Sequence, residues 1–140
     1  MSSGGDYVYY RQMFADRSQD TNVASGDTTK TDIATLKNAN YRLYIQRIAV
    51  MPFTYSDKTW TFQDDGTPLV IGHIDFTAAA PENGVGQPIV LDFGSKGRAL
   101  ATGKNLDISL SGAGVAASVH VECYERMEGV TYANAGASLQ

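Results

Sequence analysis

Residues 106–111, Leu106-Asp107-Ile108-Ser109-Leu110-Ser111, alternate apolar and polar side chains without a break. A period of two sends successive side chains to opposite faces of an extended chain, so Leu106, Ile108 and Leu110 face a core while Asp107, Ser109 and Ser111 face water. A helix cannot use this pattern, because its apolar stripe recurs every three to four residues. Similar short segments, rich in Thr, Val, Ile, Tyr and Phe and punctuated by Gly, Pro, Asn and Asp, fill residues 41–126, and helical periodicity is hard to find anywhere. An all-β domain is expected.

Six strands are predicted within residues 41–126. Residues 41–50 begin with Leu43 and Ile45 on one face, then change phase so that Ile48 and Val50 point the other way, which calls for a bulge near Gln46-Arg47 or for burial on both sides. Trp60 and Phe62 share a face of the segment 59–63, and Asp64-Asp65-Gly66 turns it into the segment 69–76, a predicted hairpin. After a loop at 78–86, Ile89, Leu91 and Phe93 take the inward phase of residues 88–93. The strand 106–111 is followed by Gly112-Ala113-Gly114, expected to turn it back into a hairpin with residues 115–126. There Val115, Ala117, Val119, Val121 and Cys123 face in, and His120, Glu122, Tyr124 and Arg126 face out.

Residues 1–40 read differently, with polar and small residues dominating 18–35 and room for one or two edge strands. Two such strands would bring the six to eight, enough to close two sheets. The expected architecture is thus a jelly-roll-like antiparallel β-sandwich with an extended N-terminal arm, an immunoglobulin-like sandwich being the alternative. Its parts are an arm and edge strands at 1–40, a sandwich core at 41–127 and a small-residue tail at 128–140.

Composition removes several function classes. Fifteen acidic against eleven basic residues leave a net charge of −4 with no evident basic face, which argues against nucleic-acid binding through phosphates. No apolar run approaches the roughly 18 residues of a membrane span. A soluble chain is expected. The single Cys123 rules out an internal disulfide framework and a multi-cysteine metal site. The first residues lack the basic and apolar regions of a secretory signal, so a chain made and kept in the cytosol is expected.

The residues that could carry chemistry all have a plainer reading. His73 and His120 each have a carboxylate two residues on, Asp75 and Glu122, which would suit half of a metal site but equally suits a solvated strand face. In the stretch 97–105 five residues separate the two glycines, where a phosphate-binding loop needs four, and Asn105 stands where that loop has Ser or Thr. A turn is expected. Asp64 and Asp65 belong to a turn and not to a glycosidase pair. Cys123 on the inward phase is a small hydrophobe and no nucleophile. No serine sits in a G-x-S-x-G elbow. The chain is therefore read as non-enzymatic, with no catalytic, metal or cofactor-binding residues and no cofactor.

Trp60 and Phe62 could form a sugar-stacking platform, although their apolar phase favours the core. The N-terminal segment is harder to place in a core. Tyr7, Val8, Tyr9, Tyr10, Met13 and Phe14 fall within eight positions, an apolar density expected to bury itself against another chain. These six residues are the predicted partner-binding set.

The segments Tyr-Arg-Leu-Tyr-Ile-Gln-Arg-Ile (41–48), Thr-Trp-Thr-Phe-Gln-Asp-Asp-Gly-Thr-Pro (59–68), Leu-Asp-Phe-Gly (91–94) and Gly-Lys-Asn-Leu-Asp-Ile-Ser-Leu-Ser-Gly-Ala-Gly-Val-Ala (103–116) resemble small β-sandwich virion proteins of tailed bacteriophages, especially head decoration or cement proteins. The likeness covers about residues 41–126 and brings no catalytic residue with it. It implies a homotrimer on the capsid exterior, partnered by the major capsid protein, assembled in the host cytoplasm and engaging neither nucleic acid nor membrane. The alternative is a carbohydrate- or receptor-binding β-sandwich module of a phage fibre or tail.

Overall fold

The computed structural model describes residues 17–54, 56–66, 69–77 and 88–127, and every helix-length or strand-length element among them is a β-strand. In chain order these are β1 (Arg17–Val23), β2 (Thr29–Ala34), β3 (Tyr41–Pro52), β4 (Thr59–Asp64), β5 (Val70–Asp75), β6 (Ile89–Asp92), β7 (Arg98–Ala99), β8 (Leu106–Leu110) and β9 (Ala117–Met127). They form two antiparallel sheets packed as a β-sandwich. One has the order β1-β9-β3-β6, with the short β7 also on β3, and the other has the order β2-β8-β4-β5.

The pairing is nested. β4 pairs with β5, β3 with β6, β2 with β8 and β1 with β9, all antiparallel, so the chain behaves as a long hairpin rolled over itself. The two strands expected from residues 1–40 are β1 and β2, and each forms an edge of its sheet. β7 was not anticipated, since two residues between glycine turns carry no readable period.

The expected hairpin of residues 106–111 with 115–126 is corrected. β8 lies in one sheet and β9 in the other, so the 112–114 turn carries the chain across the sandwich. Gly114 makes that crossing with a φ of 126°, and its N–H donates to Ser25 O at 2.7 Å. Both strands aim their apolar phase at one core. Period-two alternation specifies the buried face of a strand but not whether its successor lies beside it or opposite it.

The phase change in β3 is a bulge. Ile45 pairs with Cys123 and Arg47 with Glu122, leaving Gln46 as the extra residue. Leu43 and Ile45 before it, and Ile48 and Val50 after it, are all fully buried in the same core. Gln46 lies under the turn that follows β6, donating from Nε2 to Ser95 O at 2.7 Å and accepting from Phe93 N at 2.8 Å on its carbonyl.

Trp60, Phe62, Leu106, Ile108, Val119 and Val121 complete the centre of the core. Fully burying each such side chain contributes roughly 1.5–3 kcal/mol, most of it offset by chain entropy. At the seam between the sheets, a Cβ on Gly72 of β5 would lie 3.3 Å from Leu91 and 3.4 Å from Phe93, so the missing side chain lets the β6 segment close over β5. Arg98 braces this seam, reaching across to Ile71 O while its guanidinium sits 4.8 Å from the centroid of Phe93.

Candidate functional site

The two histidine–carboxylate pairs do not meet. His120 projects from the outer face of the β9 sheet and His73 from the outer face of the β5 sheet, with the core between them. His120 Nδ1 lies 2.6 Å from Asp20 Oδ1 on the neighbouring edge strand, and Nε2 lies 3.8 Å from Glu122, which itself faces Arg47 at 3.8 Å. This is a cross-strand polar row tying β1 to β9 and β3. Asp75 accepts a 2.8 Å bond from Thr59 Oγ1 on β4. Among the described residues, no group of three or more His, Cys, Asp or Glu is arranged to hold a metal ion.

The acidic residues near the 65–69 and 101–105 turns are structural in geometry. Asp64 is fully buried at the end of β4, where Oδ1 accepts Leu69 N and Oδ2 accepts Ala101 N, each at 3.1 Å. Asp65 accepts Asn105 N at 3.1 Å. Asn105 accepts Leu36 N on its amide oxygen at 2.9 Å and donates to Asp32 at 3.0 Å, so one side chain ties the segments after β2 and before β8. Asp107 accepts Asp32 N at 2.8 Å, holding Asp32 in a left-handed conformation with φ 57°. Burial pushes the Asp107 carboxyl above its ordinary value; the Asp32 N–H opposes this, while the charges of Asp65, Asp32 and Asp64 add to it.

At the same end, Glu125 accepts Lys37 N at 3.1 Å and Asn38 N at 3.2 Å and pairs with Arg17 at 3.0 Å. Arg17 also donates to Thr35 O. These carboxylates accept backbone N–H groups of loops, and Glu125 is in addition ion-paired with Arg17.

The 97–105 stretch is not one turn but two, on either side of the short β7, and β8 follows it. Its glycines serve close backbone contact. Gly97 and Gly103 have φ of 73° and 76°, and a Cβ on either would stand 2.7 Å from Ile45 O or 2.8 Å from Ala39 O.

Trp60 is 0% exposed and packs edge-to-face on Phe76, with ring centroids 4.9 Å apart. It offers no ring face to a sugar, which removes the Trp60 platform. Cys123 is buried on the inward phase. Tyr124 takes the outward phase and is nonetheless buried: it stacks on Tyr44, its hydroxyl donates to Lys96 O at 2.5 Å, and Arg126 covers its ring at 4.7 Å. The predicted partner-binding residues Tyr7, Val8, Tyr9, Tyr10, Met13 and Phe14 lie outside the described residues.

A surface the sequence reading passed over is apolar. On the outer face of the β3 sheet, Met51 is 38% exposed and Val90 42%, and just beyond β3 Phe53 is 65% exposed. Ala49 pairs directly with Val90, and Pro88 before β6 is exposed as well. The signal was present. Met51 and Phe53 continue an apolar residue on the outward phase, and Val90 stands between Ile89 and Leu91, which already fill the inward one.

No family model matches the chain, and no curated protein matches its sequence.

Proposed function

We propose that the protein is a non-enzymatic structural virion component, a decoration or cement protein that binds and stabilises the head of a tailed phage. The observation that carries this reading is the strand order. Two four-stranded paths, β1-β9-β3-β6 and β2-β8-β4-β5, joined by nested antiparallel pairing, are what two Greek keys generate in a jelly roll, an architecture used by viral capsid proteins and by lectins. Between those two uses, the buried Trp60 weighs against the sugar-binding one, and the acidic and histidine side chains engaged in capping and cross-strand ties favour a scaffold over a reaction site.

In this reading the working state is a homotrimer on the capsid exterior, assembled in the host cytoplasm and bound to the major capsid protein. Tyr7, Val8, Tyr9, Tyr10, Met13 and Phe14 make its contacts to other chains, and it takes no cofactor, nucleic acid or membrane. The acidic net charge of −4 supports the exclusion of nucleic acid.

The test is to mix the purified full-length chain with undecorated heads of the phage that encodes it. Saturable binding at symmetric positions, with heads that resist heat or low salt better once decorated, is the expected result. Absence of binding together with glycan-dependent binding to host cells would transfer the protein to the fibre or tail class.

A further inference from the structure

We propose that the outer edge of β6, with the apolar patch beside it, receives residues 7–14 of a second copy of this chain. Among the described residues β6 has one strand neighbour, β3, so its far edge presents main-chain N–H and C=O groups to an incoming strand. Both faces at that edge are apolar from Pro88 to Leu91, with exposed Asp92 ending the outward phase. Ile89 and Leu91 point inward and are only partly buried, while Val90 points outward next to Ala49, Met51 and Pro88. The β1 and β2 edges are polar by comparison, exposing Ser18, Asp20 and Asn22 on β1 and Thr29, Thr31 and Asp32 on β2. At β5, Leu69 just before the strand and Val70 at its start are exposed, but His73 and Asp75 are exposed along the rest, so its apolar stretch is confined to one end.

The arm has the complementary pattern. Tyr7-Val8-Tyr9-Tyr10 is apolar or aromatic on both phases of a strand, which suits a position covered on both faces and not one with a solvated side. Added to β6, one phase would extend the Val90 patch and the other would cover Ile89 and Leu91, main-chain bonds supplying adhesion and the side chains register.

The topology favours a neighbour's arm over the chain's own. β1 is the edge opposite β6, and Arg17 enters it level with Cys123, whereas Met51 lies at the other end, level with Ser118. An arm continuing the line of β1 leads away from the patch. To return, it would have to reverse and cross the polar row of Asp20, His120, Glu122 and Arg47 on its own outer face. The sixteen residues before β1 extend up to about 50 Å, ample for a neighbouring copy.

Cysteine pairing in the full-length chain tests this directly, because the native Cys123 is buried. Tyr9→Cys and Val90→Cys are placed on separate copies, one carrying a size tag, then mixed, oxidised and run without reductant. A mixed-size disulfide species in excess over same-variant pairs is expected, and Val90→Asp should lower the molar mass in light scattering while the circular dichroism spectrum stays that of the parent. The proposal is overturned if the mixed species is absent, if same-variant Val90→Cys pairs dominate, or if a Tyr9→Cys/Val90→Cys double variant closes within one chain. It extends the intermolecular reading of the arm but reads no head binding, so a protein that exchanges arms yet ignores heads would defeat the proposed function alone.

Discussion

Replacing Asp64 by alanine asks whether this fully buried aspartate holds the fold or belongs to a reaction site. Its two oxygens accept backbone N–H groups from Leu69 and Ala101, both at 3.1 Å, and so join the end of the β4–β5 hairpin to the segment after β7. Bonds to a charged acceptor contribute about 1.5–3 kcal/mol each, and truncation strands both donors. Relief of the buried charge returns part of that, leaving a net loss of roughly 2–4 kcal/mol. Against a total stability on the order of 5–15 kcal/mol this is a large fraction. Melting should fall by roughly 8–15 °C for a chain of this length. Asp64→Asn keeps one acceptor and confronts the second N–H with an amide nitrogen, so it recovers at most half. Urea denaturation of the three proteins at pH 7 measures the differences. A strained catalytic carboxylate would behave oppositely, since its removal commonly stabilises a protein at the expense of activity. An Asp64→Ala variant as stable as the parent, or more so, would refute the capping role and reopen the acid–base reading.

Three further outcomes follow from the geometry. Trp60 should emit with a blue-shifted maximum, resist iodide quenching and ignore added glycans; a red-shifted or glycan-responsive emission would contradict its burial. Gly97→Ala should cost roughly 2–4 kcal/mol, from the left-handed strain and the collision with Ile45 O, while Gly26→Ala, with open space around it, should cost far less in the same thermal melts. For Asp107, whose carboxyl is raised from 3.8 chiefly by burial, the stabilising form is the protonated one. That contribution is complete below the ordinary value and lost as pH rises through the folded one, so Asp107→Asn should gain stability relative to the parent between pH 3 and pH 7 in urea midpoints. A difference independent of pH would refute this.

The buried half of the molecule was legible in the sequence because burial imposes a period. Leu106, Ile108 and Leu110, Val119 and Val121, and Trp60 and Phe62 all lie on the face their alternation assigned, and the broken phase at Gln46 marked a true bulge. Side-by-side and face-to-face neighbours impose the same period, which is why β8 and β9 were misjudged as a hairpin. The turn role of Asp64 was legible, but the distant partners of Asp64 and Glu125 were not. Those partners are backbone N–H groups 37 and 88 residues away, and no local period announces a contact across such a separation. The apolar patch was readable in principle. On an outward phase water accepts almost any polar residue, so an apolar one there is the informative exception.

Those exceptions bear on the assembly. An arm of one copy seated on β6 of the next is a heterologous contact, since the donor and acceptor surfaces differ, and such contacts either close into a ring or run on as a filament. β6 is four residues long and so offers few main-chain bonds to an arm, which leaves two copies weakly held by a single arm. A closed ring changes that, because each copy is held by two arms at once and the second engagement is intramolecular. Three copies is the ring that matches a threefold capsid position, and arm exchange thereby supplies a physical reason for the proposed trimer. Light scattering should accordingly give three chain masses for the full-length protein, one mass after deletion of residues 1–14, and no intermediate dimer population at equilibrium. A stable dimer would mean reciprocal exchange between two copies, and the ring would be the wrong closure.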